Sequence, residues 1–195
     1  MKDKILTSVI NFLNNEGSYS ENDLLKIRYG LEGIYLTITK LIVILILSIL
    51  LGILKEVAIC LIFFNIIRYF SFGFHAEKSY ECLLLSLFNF ILIPLFFLSI
   101  NRTFFVDVFI CCLCLLVLFI FAPADTVKRP LKNKKKCLAK KALTLFVGLI
   151  YFVLVLIFNS HYISDLLISV LVADVVVVNP ITYFLFRQPY NNYKN

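Results

Sequence analysis

The chain is short of charge, of histidine and of long polar stretches, and each shortage removes a class of protein. Asp, Glu, Lys and Arg make up 16% of its 195 residues and 61% are hydrophobic, whereas an ordinary soluble domain is about 25% charged and roughly 45–50% apolar. No polar stretch is long enough to enclose a core of its own, so no separate soluble domain is expected. Only two histidines are present, His75 and His161; His161, in "FNSHYISD", is expected in a loop as a surface residue. No internal repeat is visible, which makes an alternating-access transporter a poor reading. The six cysteines form no disulfide framework. The N-terminal "MKDKILTSVINFLNNEG" has a short apolar stretch broken by polar residues, and it does not read as a cleaved signal peptide.

What the chain does have is apolar runs near the length a bilayer requires, about 20 residues per spanning helix. They cover residues 34–54, 57–74, 82–100, 104–123, 142–159 and 162–186. The expected fold is an all-α integral membrane protein with four to six transmembrane helices. The second run holds Arg68 and the last holds Asp174 and Pro180, so either one can be broken or re-entrant where protein rather than lipid surrounds it. Residues 1–33 are mixed: Ile5, Val9, Ile10 and Leu13 recur at helical spacing, the pattern of an amphipathic helix lying on a membrane surface. A second short helix is expected over "ENDLLKIRYGLEGIYL". The chain thus reads as one membrane-embedded domain, with 1–33 interfacial, 34–186 the transmembrane core and 187–195 a tail.

Basic residues set the expected orientation. Sixteen of the 19 Lys and Arg fall on one side if the N-terminus is inside, and only Lys55 and Arg102 fall on the other; Lys40 lies within the first run. Both termini, the Arg68–Cys82 stretch and the 128–141 loop are then cytoplasmic, in the cell membrane. Eight of the basic residues sit in "TVKRPLKNKKKCLAKK". Beside a membrane helix these anchor to anionic lipid headgroups or dock an acidic peptide, and the net charge of +7 needs no nucleic acid.

Cys111, Cys112 and Cys114 lie in the apolar "FICCLCLL" and read as small packing residues. Cys60 reads the same way, and Cys137 has no base beside it in sequence. Chemistry therefore concentrates in "RYFSFGFHAEKSYEC", Arg68–Cys82, since polar groups beside hydrocarbon are costly and mark function by default. A cysteine nucleophile needs a base within hydrogen-bond reach. Seven residues of continuous helix would hold His75 and Cys82 about 10 Å apart along the axis, so the backbone between them must bend. Gly73 and the polar "AEKSYE" permit the bend. His75 then closes the second run or sits in a turn, and Cys82 enters the first turn of the third. A helix N-terminus favours a thiolate, and its free N–H groups can hold an oxyanion. From the residues alone, a satisfied interfacial histidine with a packing cysteine, or a metal site using Glu77 or Glu81, stands beside the Cys–His reading.

This stretch resembles the signature of the AgrB family, the membrane cysteine endopeptidases of Gram-positive quorum sensing: Arg68, Gly73, His75, Ala76 and Cys82 match it. "APADTVKRPL", Ala122–Leu131, resembles the family's Pro-Ala motif followed by a basic-Pro element. Phe74 departs from the small residue found in many members and is expected to alter packing near His75. The resemblance implies a cleavage that removes the acidic tail of an AgrD-type propeptide through an acyl-enzyme on Cys82. His75 would be the base and then the acid, and ring closure would give a thiolactone or lactone. It implies a homodimer in contact with membrane lipids and no cofactor or metal. Arg68 and Gly73 would support the site. Glu77, Glu81 or Asp125 would orient His75, and Lys128, Arg129, Lys132 and Lys134 would dock the tail. The alternative class is a small membrane peptide exporter.

Overall fold

The computed structural model describes residues 2–17, 19–74, 78–125, 133–158 and 161–190. Most of these are helical, and no β-strand occurs among them. Among the described residues, four helices are long and apolar enough to cross a membrane: Asn22–Leu50, Ser79–Ser99, Phe104–Phe121 and Lys134–Phe158. The protein is an all-α membrane protein, as the apolar runs require.

Residues 1–47 form one compact unit and residues 48–195 another. The first holds helix α1 (Lys2–Glu16) and most of α2 (Glu21–Leu50). Ser20 starts α2: its hydroxyl accepts from the Asp23 amide at 3.3 Å, which satisfies one of the amides a helix start leaves open. The expected short second helix and first span are one helix of 30 residues. Gly30 and Gly33 do not interrupt it, because each costs only about 1 kcal/mol against alanine. The Thr37 and Thr39 hydroxyls donate back to the carbonyls of Gly33 (2.8 Å) and Tyr35 (2.9 Å), so neither carries an open donor into the apolar part of α2.

The second unit begins where α2 ends. Gly52 adopts a left-handed φ of 71°, and Ile53 donates its amide to Ser48 O at 2.9 Å, a glycine-terminated helix end. There follow α3 (Leu54–Ser71), α4 (Ser79–Leu87), a π-helical turn (Phe88–Leu92), α5 (Ile93–Ser99), α6 (Phe104–Phe121), α7 (Lys134–Phe158), α8 (His161–Val178) and α9 (Pro180–Leu185). The π turn has a local cause. Pro94 lacks an N–H and its ring crowds the carbonyl four residues back; the Ile93 amide reaches Phe88 O instead, in the wider i to i+5 spacing. The expected 142–159 segment starts earlier, at Lys134. The last run breaks at Asn179–Pro180, where the Asn179 side chain accepts from the Ile181 amide at 2.9 Å.

Helix α8 is the centre of this unit and packs against α3, α5, α6 and α7. From Ser164 to Val178 most residues are buried, so α8 is enclosed on nearly all sides, and the few polar groups it carries are buried with it. The outer faces of α6 and α7 remain apolar, with Phe105, Phe109, Phe119, Phe146 and Ile157 exposed. An apolar surface this continuous is one that lipid covers.

Two buried carboxylates on α8, Asp165 and Asp174, lie about 13 Å apart along the helix axis. Asp165 is held by Arg102, which also donates to Asp107 Oδ1 at 2.7 Å and to the Phe97 carbonyl at 2.7 Å. This network ties the 100–103 connection to α5, α6 and α8. Asp174 belongs to the opposite end.

Candidate functional site

Helix α3 stops at a sharp break. Phe72 and Gly73 take left-handed φ values of 57° and 98°, turning the chain off the helix axis directly upstream of His75. Glycine is required at 73: a Cβ there would stand 2.2 Å from Arg68 Nη1 and 2.7 Å from Val177 O. Arg68, on the last turn of α3, reaches forward and donates through Nη2 to the carbonyls of Gly73 (3.0 Å) and Phe74 (2.6 Å). It thereby fixes the two peptides that lead into His75.

The break is also strapped to the chain after α6. Gly73 donates its amide to Ala124 O at 2.6 Å, and Ala124 donates to Ser71 O at 3.0 Å, forming a parallel bridge between Phe72 and Ala124. Phe74 donates its amide to Val177 O at 2.8 Å, at the end of α8. The break just upstream of His75 is thus held by the chain after α6 and by the end of α8; the bend expected between His75 and Cys82 falls on residues 75–77, outside the described residues. Lys140, from the second turn of α7, donates to Tyr69 O at 3.3 Å and lies 4.3 Å over the Phe72 ring. A cation there suits the negative end of α3.

Beneath the break lies a buried polar cluster. The Ser71 hydroxyl donates to Asp174 Oδ1 at 2.7 Å, and the Arg68 guanidinium lies within electrostatic range of Asp174, Tyr183 and Cys82. Phe74, the residue that departs from the family pattern, is buried and packs its ring on Tyr183 (5.5 Å) and Phe186 (4.9 Å). It contributes an aromatic anchor between the break and α9. The Tyr183 hydroxyl donates to Asp125 O at 3.0 Å.

Helix α4 resumes at Ser79 and places Cys82 in its first turn, as expected. The Cys82 amide already bonds Lys78 O at 3.2 Å, so the amides at this helix start that have no carbonyl within the helix to bond are those of Ser79, Tyr80 and Glu81. The Cys82 side chain is half-buried. Cys60, Cys111 and Cys114 are buried among apolar neighbours, in keeping with packing roles, while Cys112 is exposed.

His75 and Glu77, the expected base and one of its expected orienters, lie outside the described residues, as do Lys128, Arg129 and Lys132. Of the other residues expected in the site, Arg68 and Gly73 meet at the break, and Asp125, next to Ala124 in the chain, is fully buried and accepts from Tyr183 through its carbonyl. Glu81 pairs with Lys78 at 3.5 Å. Lys134 is exposed at the start of α7, which Asn133 caps through the amide of Lys135 at 3.0 Å. The basic residues 134–141 are therefore helical and not loop.

Sequence reasoning missed Ser71, Ala124 and Tyr183 as members of this cluster. Asp174 did carry a signal, being an ionisable residue in an apolar run, but its partner Ser71 is 103 residues away. Nothing in the local sequence pairs them.

Sequence comparison finds relatives over most of the chain. The family model for accessory gene regulator B matches residues 6–179. An AgrB-like protein of Listeria monocytogenes serotype 4a (strain HCC23) is 32% identical over 177 residues, spanning 89% of this chain and 85% of the relative. An AgrB-like protein of Clostridium acetobutylicum is 30% identical over 173 residues, 88% of this chain and 82% of its own. One from Clostridium beijerinckii is 36% identical over 148 residues, 72% of each. No solved structure matches the chain at a significant level. With most of its length matched, with Arg68 and Gly73 meeting at one strapped break and with Cys82 in the helix turn that follows, the chain belongs to the accessory gene regulator B family.

Proposed function

We propose that this protein is a membrane cysteine endopeptidase that removes the acidic tail of an AgrD-type propeptide and leaves the remainder to close into a ring. The observation that carries the reading is the placement of Cys82. It stands in the first turn of a helix that starts just after a rigid break, within electrostatic range of an arginine whose hydrogen bonds fix the peptides preceding His75. A nucleophile on a helix start, beside backbone amides that can hold an oxyanion and seven residues after a histidine, suits acyl transfer.

In this mechanism His75 takes the proton of Cys82. The sulfur attacks the carbonyl between the central segment and the tail, and the open amides at the start of α4 supply donors for the oxyanion. The C–N bond breaks, the tail leaves as an amine that takes the proton from His75, and a thioester remains on Cys82. The substrate's internal thiol or hydroxyl then attacks that thioester, the ring closes, and Cys82 is released. Water would discard the acyl group by hydrolysis, so a dry site among membrane helices favours cyclisation. The lysines at 134–136 stand at the positive end of α7, where like charge is unfavourable and an acidic tail relieves it.

The test is to trap the acyl-enzyme. Protein reconstituted in lipid vesicles without a gradient is incubated with a propeptide whose internal Cys is Ala. A hydroxylamine-labile adduct should map to Cys82 by mass spectrometry. Cys82→Ala should give neither adduct nor cleavage, and His75→Ala should lose roughly 10²–10⁴-fold. Unimpaired cleavage by Cys82→Ala, or an adduct on Cys137, would sink the assignment; transport without cleavage would favour an exporter.

A further inference from the structure

A groove of about 470 Å³ opens beside the first turn of α4. One wall carries Lys78, Tyr80 and Glu81, one to four residues before Cys82 in the chain; the other carries Arg187 and Gln188, just past α9. Glu81 is already paired with Lys78 at 3.5 Å, so among the described residues the charge left over in the groove is the Arg187 guanidinium. Arg187 is exposed and makes no side-chain hydrogen bond or ion pair among the described residues.

The backbone at 187 adds an independent observation. Arg187 has a left-handed φ of 54°. Its amide bonds Phe184 O at 3.1 Å, and the Gln188 amide bonds Tyr183 O at 2.8 Å. This is the helix end that glycine normally occupies, because a side chain is strained there. Glycine would serve the fold better. A long cation held in a strained conformation, lining a groove at the start of the helix that carries Cys82 and with no side-chain partner among the described residues, is a feature whose use lies in what it binds.

We infer that this groove is the subsite for the segment that leaves from the cleaved bond, and that Arg187 holds a carboxylate of that segment through charge-assisted hydrogen bonds. The inference rests on the endopeptidase reading for the identity of the segment. The surplus positive charge selects an acidic segment over the apolar central part of the substrate. The position next to Cys82 selects the residues closest to the scissile bond. Tyr80 and Gln188 supply further polar contacts without competing charge.

The test uses full-length protein in vesicles and two synthetic propeptides, one with Asp and Glu in the first residues of the tail and one with Asn and Gln there. Cleavage is measured with the active protein and binding of the labelled peptides with Cys82→Ala. The unsubstituted groove should favour the carboxylate tail roughly three- to tenfold, the worth of an accessible charge-assisted pair, in KM and in binding. Arg187→Gly should abolish that preference in both readouts, with a melting temperature equal to or above the parent's. Arg187→Glu should reverse it toward a tail carrying Lys. A preference that survives Arg187→Gly, or a loss equal for both tails, overturns the subsite. If binding shows the Arg187-dependent preference but no peptide is cut, the subsite stands and the endopeptidase reading falls. If cleavage proceeds with no tail preference, the reverse holds.

Discussion

Gly73 donates its amide proton to the carbonyl of Ala124 across 2.6 Å, joining the two stretches of the chain that carry the family resemblance. The bond needs the left-handed turn at 73, and that turn needs glycine. Gly73→Ala would drive a methyl group into the Arg68 guanidinium, 2.2 Å away, and the Val177 carbonyl. Backbone strain of this kind costs on the order of 1–3 kcal/mol, and displacing Arg68 frees the carbonyls that lead into His75. The variant should fold with a lowered melting temperature and lose at least tenfold in cleavage, mainly in kcat, since misplacement of a catalytic group acts on the chemical step. Normal kcat in a folded Gly73→Ala protein would show that the strap does not position His75.

Arg102 should matter for stability and little for chemistry. It is buried and holds Asp107 and Asp165, on a different layer of α8 from Asp174. Arg102→Leu leaves two carboxylates buried without their cation, a loss of about 3–5 kcal/mol. Thermal denaturation in detergent should show a large fall. Arg102→Leu combined with Asp107→Asn and Asp165→Asn should recover much of it, because the buried charge is gone. A triple variant as unstable as the single one would mean that Arg102 acts by packing alone.

Orientation follows from the retention of positive charge on the inside. With native cysteines replaced, single cysteines at residues 78 and 134 should resist an impermeant thiol reagent applied to intact cells and react after permeabilisation. Strong labelling from outside would reverse the proposed topology.

A homodimer is expected from the family resemblance, and the apolar outer faces of α6 and α7 offer surface for either lipid or a second copy. Crosslinking in native membranes should yield a dimer whose fraction is insensitive to dilution with added lipid. Recovery of monomer alone would count against it.

The sequence by itself determined that this is a helical membrane protein, because runs of apolar side chains near bilayer length have no other stable environment. It also pointed to Arg68–Cys82 as the stretch where chemistry is expected, with a bend between His75 and Cys82 if the two are to act together, since helix rise alone keeps them apart. Periodicity could not separate an interfacial helix from the span that follows, so α2 emerged as one helix where two were expected. Only the tertiary structure decided what holds the break just upstream of His75. Ser71 meets Asp174, Gly73 meets Ala124 and Phe74 meets Tyr183, over separations of 50 residues and more. Hydrogen bonds and ring contacts of that range depend on how helices pack around α8. A serine, an alanine and a tyrosine in apolar runs carry no local mark of the partner that packing will bring them.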